Sequence, residues 1–357
     1  MPLIRSAGQM KTAICSESEA TMKSTMKAVL LEKPTEAQNV TLCEIPIPEV
    51  RPGWVLVKIK AFGMNHSEQI LRLNEIRADY IQKPIIPGIE CVGEIADPSD
   101  SVFVAGQKVV ALMGGMGRSF HGSYAEYALL PIHHVFAVES ALEWEDMAAI
   151  PETYFTAWGS LFECLNLKSS DTLLIRGATC ALGYAAIQIA KALGCTVIAT
   201  THKENKLPLL ACADKAVLDT GKLSSVLCGV TKALELVGPK TLIDTLRCVE
   251  KGGIVCNTGI LGGVYTLNGF DPIKDIPNGV YLTGFFSNYP TEKTMYDIFA
   301  FMDKHALKPA IGARFDFEHI KDACIALDSG SINGKIVVTF LQQAGEIDNG
   351  YGTKSTF

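Results

Sequence analysis

Between residues 172 and 259 the chain alternates short apolar stretches with helical segments, and this alternation limits the fold more than any other feature. The apolar stretches are almost continuous, which is typical of strands that are covered on both faces. We therefore predict a doubly wound parallel sheet with helical connections near 204–212 and 240–250. The strands and the longest helix are expected at TLLIR (172–176), Ala181–Leu193, TVIAT (196–200), AVLD (216–219), ALELV (233–237) and GIVCNTG (253–259).

The first of these strands runs into a loop with two glycines and then directly into a helix. The first glycine permits a tight turn, N–H groups at the helix start can face a pyrophosphate, and the second glycine lets the helix pack close to the sheet. The loop departs from G-x-G-x-x-G in its middle, but its place in a strand–helix–strand series favours dinucleotide binding. The predicted contact residues are Gly177, Ala178, Thr179, Cys180, Ala181, Leu182 and Gly183.

The end of the second strand indicates which dinucleotide is bound. An NAD site has a carboxylate there, which bonds the ribose 2′-hydroxyl. Here the strand ends in Thr200, Thr201, His202 and Lys203, with Lys206 one turn further on. Hydroxyls and cations suit a 2′-phosphate, which a carboxylate would repel. We predict NADP(H); the alternative is that these basic residues form a solvated surface patch.

Composition excludes several classes of protein. The chain has 357 residues, of which 48% are hydrophobic and 20% charged, and this composition excludes a disordered or fibrous chain. A net charge of −6 argues against a nucleic-acid partner. No apolar run approaches the roughly 18 to 20 residues that a membrane span needs. Eleven cysteines without a CxxC motif argue against a disulfide framework, and we expect reduced thiols in a cytoplasmic protein.

Short strands separated by proline and glycine precede this sheet, which predicts a β-rich, barrel-like domain. The last strand, KIVVTF, is expected to return to that domain. The beginning of the chain lacks the apolar region of a secretory signal, and an organelle signal in the first 14 residues stays open. The predicted division is a flexible extension (1–25), the β-rich domain (26–147 and 287–341), the nucleotide-binding domain (148–286) and a flexible tail (342–357).

Motifs spread over about residues 26–340 carry a family resemblance; they include MKAVLLEKP (26–34), VLVKIKAFGMNHSE (55–68), PGIECVGEI (87–95), PETYFTAWGSL (151–161), DTLLIRGATCALG (171–183) and GGIVCNTGILGG (252–263). Together they resemble the medium-chain dehydrogenase/reductase superfamily. Within it the chain is similar to the zinc-independent, quinone oxidoreductase-like branch, often labelled zinc-type alcohol dehydrogenase-like. The resemblance implies an α/β fold with a Rossmann domain and a GroES-like catalytic domain.

The resemblance also bears on metal binding. Zinc-dependent members ligate the catalytic metal through a Cys in G-x-C-H-x-D, a His in G-H-E and a Cys before the T-x-Y helix. The matching positions are Asn65, Ile89 and Glu152, of which only the last ligates readily. Because catalytic zinc needs about three protein ligands, we predict no metal site. The four-cysteine structural lobe is missing too, since no cysteine lies between Cys91 and Cys164.

The resemblance further implies site residues. Asn65 is expected beside the nicotinamide ribose and the substrate, where its amide either donates to an oxyanion or only fixes a loop. Thr156 is expected near the nicotinamide, with helix packing as the alternative, and Tyr154 is either a proton donor or a buried aromatic. Tyrosines that relatives carry after the Asn are absent, so the proton donor stays open, water included. The other expected cofactor contacts are Thr258, Gly259, Gly284, Phe285 and Lys335, the last with a structural role as an alternative.

Loss of the zinc ligands limits the reaction. Without a Lewis acid an alcohol does not easily become an alkoxide, whereas a quinone or an α,β-unsaturated carbonyl accepts hydride and spreads the charge onto oxygen. We predict a cytoplasmic, homodimeric, NADPH-dependent reductase of such small-molecule electrophiles. One alternative is a trans-acting enoyl reductase or tailoring reductase of a polyketide pathway. Another is a non-catalytic NADPH-binding protein with a structural or interaction role.

Overall fold

The structure is a computed structural model that describes residues 24–340. Strands make up two large sheets and one small sheet in these residues. In chain order they are β1 (Thr25–Val29), β2 (Leu42–Pro46), β3 (Trp54–Met64), β4 (Glu90–Asp97), β5 (Lys108–Leu112), β6 (Tyr127–Pro131), β7 (Val135–Ala137), β8 (Thr172–Arg176), β9 (Thr196–Thr201), β10 (Lys215–Leu218), β11 (Val230–Glu235), β12 (Val249–Asn257), β13 (Tyr281–Gly284), β14 (Ile311–Asp316) and β15 (Lys335–Thr339).

Helices connect and cover these sheets. The α-helices are α1 (His66–Leu73), α2 (Trp144–Ala148), α3 (Pro151–Trp158), α4 (Ala181–Leu193), α5 (Pro239–Cys248), α6 (Pro272–Asp275), α7 (Glu292–Lys304) and α8 (Ile320–Ser329). A π-helix continues α3 over Gly159–Cys164. Short 3-10 helices lie at Ala37–Asn39, Glu75–Arg77, Ile132–His134, Glu204–Leu210, Leu223–Ser225 and Phe317–His319.

The predicted doubly wound sheet is confirmed. Its strand order is β10-β9-β8-β11-β12-β13, and every neighbouring pair is parallel. Numbered from β8, this is the Rossmann order 3-2-1-4-5-6. The chain crosses from one half of the sheet to the other between β8 and β11, so the loop after β8 lies at the point where such folds bind their ligands.

The other large sheet has the order β14-β15-β3-β4-β5-β7, with β6 on the long strand β3. The last strand, β15, pairs antiparallel with β3, and Val338 lies opposite Phe62. Inside this sheet Phe62 stacks on Tyr124 with ring centroids 4.8 Å apart. The small sheet, formed by β1 and β2, packs on the hydrophobic core that contains Phe62 and Tyr124.

One buried hydrophobic cluster contains residues of both large sheets. It includes Ala61 and Val92 of the sheet built around β3, Leu173 and Ile175 of the parallel sheet, and Phe155 of α3. Because α3 packs against β4 and β5 and against α4, which connects two strands of the parallel sheet, side chains of its first turn are held at the junction. The candidate site is built there.

Two predicted segments differ from the structure. The helix expected near 204–212 is a 3-10 helix, Glu204–Leu210, that contains Pro208, which has no N–H for an α-helical bond. The sequence of residues 144–165 also predicts two helices with a break at Pro151. The second helix does begin at Pro151, but residues Gly159–Cys164 form the π-helix. The predicted N-terminal extension, apart from its last two residues, and the predicted tail lie outside the described residues. Among residues 24–340 no helix has the length and apolar character of a membrane span.

Candidate active site

The loop between β8 and α4 has the geometry of a close-packed turn. Gly177 has a φ of +83°, which favours glycine. A Cβ at Gly183 would lie 2.3 Å from the carbonyl oxygen of Ala178, so only glycine allows the helix to approach this closely. The N–H of Gly177 donates to Thr200 Oγ1 at 3.2 Å, and that of Ala178 donates to the carbonyl oxygen of Thr200 at 2.8 Å. The end of β9 therefore holds the loop in place.

Two lysines lie beside this loop without an acidic partner. Within residues 24–340 neither Lys203 nor Lys206 forms an ion pair. Burial lowers the pKa of Lys206, and the charge of Lys203 lowers it further, so the two ammonium groups are close enough to interact. Lys206 also lies near the thiol of Cys180 in the loop. This is a basic, unneutralised edge next to the helix start.

The predicted role of two threonines as direct phosphate ligands needs correction. Thr200 and Thr201 are buried, at 0% and 2% exposure. The hydroxyl oxygen of Thr200 accepts from the N–H of Gly177, and that of Thr201 accepts from the N–H of Lys203 at 3.3 Å. They support the loop from inside, while His202 and Lys203 are exposed.

At the sheet junction, five polar side chains from four segments meet; we call them the junction cluster, and they are Asn65, Glu68, Glu90, Glu152 and Lys335. Lys335 is 2% exposed and its Nζ lies 2.5 Å from Glu90 Oε1, whose side chain is fully buried. The same Nζ donates to Asn65 Oδ1 at 2.6 Å and to Thr153 Oγ1 at 3.0 Å. A buried cation with three oxygen partners is well satisfied.

Asn65 has both ends of its amide engaged in this cluster. Its Nδ2 donates to Glu90 Oε1 at 2.8 Å and approaches Glu68 Oε1 at 3.5 Å. Glu68 in turn accepts from the N–H groups of Asn65 (2.8 Å) and Ile89 (3.1 Å). Burial raises the pKa of Glu68 to about 7, against the charge of Lys335, which lowers it. Of the two predicted roles of Asn65, this geometry favours fixing the loop at the start of α1.

Glu152 completes the cluster from the first turn of α3. Its N–H donates to Glu90 Oε2 at 2.8 Å. Its Oε1 accepts from Thr156 Oγ1 at 2.8 Å and from Ser287 Oγ at 2.7 Å. Burial raises the pKa of Glu152 to about 8, and Glu90 raises it further, while the Ser287 hydroxyl lowers it. The Thr156 hydroxyl is therefore committed to the Glu152 carboxyl group.

Tyr154 is not brought together with the junction cluster, and its prediction as a proton donor needs correction. The residue is 1% exposed, and its hydroxyl donates to Gln188 Oε1 on α4. Burial raises its pKa well above the usual range. It is the buried aromatic that the sequence left as the alternative.

The carboxyl end of β12 meets the π-helix at the far side of the junction. Thr258 Oγ1 lies 2.9 Å from Ser160 Oγ, and Asn257 Oδ1 is buried without a partner among the described residues. Phe285 packs edge-on against Phe155 with ring centroids 5.7 Å apart. Around this edge the backbone is close-packed at two predicted contacts. A Cβ at Gly259 would lie 2.2 Å from Leu236 O, and one at Gly284 would lie 3.2 Å from Asn257 O.

The resemblance implied that Glu68 holds the loop, and its bonds to the N–H groups of Asn65 and Ile89 agree with that role. Sequence reasoning missed two members of this site, Glu90 and Ser287. Glu90 directly follows Ile89 in the G-I-E motif, so its place beside the position of a lost zinc ligand was the available signal. No sequence pattern pointed to Ser287, because it is 135 positions from Glu152 and only the fold brings the two side chains together.

At two of the positions that match zinc ligands, the side chains do not suit a metal ion. Ile89 is aliphatic and buried, and the Asn65 amide is shared between a lysine and two carboxyl groups. In the part of the chain that the structure describes, no three His, Cys, Asp or Glu residues are arranged to hold a metal ion.

Comparisons with known proteins agree with this fold. The model of the alcohol dehydrogenase GroES-like domain matches residues 51–140, and that of the zinc-binding dehydrogenase family matches residues 181–304. Quinone oxidoreductase from Homo sapiens is 28% identical over 312 residues, covering 83% of this chain and 92% of the relative. Acryloyl-coenzyme A reductase from Sulfurisphaera tokodaii is 23% identical over 344 residues, covering 88% and 99%. The crystal structure of an NAD-dependent alcohol dehydrogenase has a TM-score of 0.76 at 25% identity, covering 88% of this chain and 99% of that one.

The chain therefore belongs to the medium-chain dehydrogenase/reductase superfamily of oxidoreductases, whose members bind NAD or NADP. Within that superfamily it is quinone oxidoreductase-like, with GroES-like and Rossmann-like parts, as the sequence predicted. Features of the structure fit such a cofactor: the glycine turn before α4, the free basic edge, and the buried Asn257 oxygen, which could accept from a carboxamide.

Proposed function

We propose that this protein is an NADPH-dependent, metal-free reductase that delivers hydride to quinones or α,β-unsaturated carbonyls. The observation that carries the proposal is the junction cluster, in which Asn65, Glu90 and Lys335 bond one another at the positions around the lost zinc ligands. A site of this kind offers hydrogen bonds and no Lewis acid. Such a site suits acceptors that delocalise the negative charge of the incoming hydride onto their own oxygen atoms.

Bound NADPH would supply the hydride; the chain's own residues bind, orient and exclude water. The residues proposed to hold it are the loop from Gly177 to Gly183, with Lys203 and Lys206 at the 2′-phosphate. Thr258, Gly259, Gly284 and Phe285 are proposed to line the nicotinamide. Lys335 and Asn65 are proposed to position these nicotinamide-lining residues and not to bind the cofactor directly, since Lys335 Nζ already donates to Asn65 Oδ1.

A panel of acceptors tests the reaction. With NADPH, quinones and enones should be reduced, and saturated ketones of matching shape should react on the order of 10²-fold more slowly, because a ketone oxygen must carry the full charge. Initial rates of NADPH oxidation measure this. Chelator treatment is the control and should leave the rates unchanged. Stoichiometric zinc by elemental analysis, with activity that the chelator abolishes, would contradict the proposal.

The cofactor preference can be tested by binding. NADPH should bind at least about tenfold more tightly than NADH, about 1.4 kcal/mol, because the strand end from Thr200 to Lys203 has no carboxylate for a ribose 2′-hydroxyl. Lys203→Glu should remove most of this preference while changing NADH affinity little, and fluorescence titration of both cofactors measures it. Lys321→Glu, on the exposed side of α8, is the matched control. Equal affinities in the unmodified protein would refute the choice of NADPH.

A second candidate function has support from one comparison. Acryloyl-coenzyme A reductase, a relative, acts by its name on a thioester-linked enoyl group. An enoyl thioester is also an α,β-unsaturated carbonyl, so the same site would serve a trans-acting enoyl reductase or a tailoring reductase. Thioester-linked enones therefore belong in the panel. We also propose a cytoplasmic homodimer, which cell fractionation and light scattering would test.

A further inference from the structure

One carboxyl oxygen of Glu152 is buried at the sheet junction, and the function proposed above leaves it without a role. Glu152 Oε1 accepts two hydrogen bonds, from Thr156 and Ser287, whereas Oε2 has no partner among the described residues. Buried polar atoms are nearly always hydrogen-bonded, so an unpartnered one requires an explanation. When two donors occupy one oxygen of a carboxyl group, a bound proton belongs on the other oxygen.

The surroundings of Glu152 favour the protonated form at neutral pH. The Glu90 carboxylate accepts from the Glu152 N–H, and its charge disfavours a second carboxylate beside it. The charge of Lys335 acts in the opposite direction, but its ammonium is committed to Glu90, Asn65 and Thr153. Burial raises the pKa of Glu152 to about 8, so most of the group is neutral at pH 7. The result is an acidic O–H without an acceptor among the described residues.

The carboxyl group also lies among the residues proposed to surround cofactor and substrate. Thr156 is one helical turn along α3, and Ser287 follows Gly284 and Phe285 at the end of β13. On its other side Glu152 is joined to Asn65 through Glu90. Glu152 is thus bonded to β4 through its backbone N–H and to the segment after β13 through its carboxyl group.

We propose that Glu152 is the proton donor of the reaction and that its Oε2–H protonates the oxyanion left by hydride addition. This inference rests on the proposed function. The β-carbon of an enone gains the hydride of NADPH, with two electrons, and the C=C electron pair moves to give an enolate and NADP⁺. Glu152 then gives its proton to the enolate oxygen, becomes a carboxylate, and regains a proton from water. The resulting enol tautomerises in water: its α-carbon gains a proton and its O–H loses one, which gives the saturated carbonyl. The net reaction consumes one enone, one NADPH and one proton, and yields the saturated carbonyl and NADP⁺.

The test compares acceptors whose reduced anions differ in basicity. Glu152→Gln keeps an oxygen for Thr156 and Ser287 but has no acidic proton. For enones its kcat/KM should fall on the order of 10²-fold, whereas a tetrahalogenated quinone, whose reduced anion is weakly basic, should change within about threefold. Glu163→Gln, exposed on the π-helix, is the matched control and should change neither.

Each result decides the matter. Equal losses with both acceptors indicate a positioning role and overturn the proposal, and unchanged enone reduction also overturns it. If the unmodified protein reduces neither acceptor class, the proposed function itself fails, and this result is seen before any variant is made.

A second measurement needs neither cofactor nor substrate. The unfolded chain releases the Glu152 proton near its usual pKa of 4.5, whereas the folded protein retains it until about pH 8. Between these values the folded state binds more protons, so stability falls as pH rises. The free energy of unfolding should therefore decline more steeply with pH in the unmodified protein than in Glu152→Gln. Parallel profiles would overturn the inference.

Discussion

Replacing Lys335 with methionine is expected to lower the free energy of unfolding by about 3–5 kcal/mol, because it removes the cation from a buried carboxylate. The Lys335 and Glu90 side chains are 2% and 0% exposed, and Nζ lies 2.5 Å from Oε1. The substitution also removes the donor to Asn65 Oδ1. Urea unfolding at neutral pH measures the loss.

Two controls identify the cause. Lys293→Met removes an exposed ion pair with Asp297 and should change stability by less than about 0.5 kcal/mol. The double variant Lys335→Met with Glu90→Gln should recover much of the loss, since no charge is then left unpaired. If Lys335→Met alone were as stable as the unmodified protein, the ion pair would not be the source of stability at the junction.

Arg176→Met is expected to cost a similar amount, about 3–5 kcal/mol, inside the parallel sheet. The Arg176 side chain is fully buried at the end of β8, directly before the glycine turn. It donates to both oxygens of Asp219 at 2.7 and 2.8 Å and to Asp244 Oδ2 at 2.8 Å. Without it, two carboxylates face each other across the sheet edge without a cation. The same unfolding measurement applies.

For Arg176 the matched control is Arg247→Met on α5. Arg247 is 55% exposed and its Nη2 is 3.9 Å from Asp275, so its removal should change stability by less than about 0.5 kcal/mol. NADPH affinity should fall in Arg176→Met as well, because the strand end that carries the cofactor loop loses its anchor. Equal stability of the two variants would show that the buried network contributes nothing.

The sheet was predictable because each strand carries its own signal. The apolar stretch of β8, the helix from Ala181 to Leu193 and the glycine turn between them follow from local pattern alone. The junction cluster was not predictable in this way. Lys335 and Asn65 are 270 positions apart, and Ser287 is 135 positions from Glu152. The buried Arg176 was likewise read only as part of an apolar strand, since its two partners follow 43 and 68 positions later.

Strand β15 pairs with β3 and carries Lys335 of the junction cluster. The order of synthesis on the ribosome therefore determines when the junction can form. All six strands of the parallel sheet have been made once residue 284 is added. Strand β15 comes some fifty residues later; it is one of the partners of β3 and carries the only cation that pairs with Glu90 in the described chain. A nascent chain can therefore assemble its nucleotide-binding half first, while Glu90 stays in water. Contacts of such long sequence separation form late and slowly. The polar centre of the molecule can thus form only after all strands of the parallel sheet have been made.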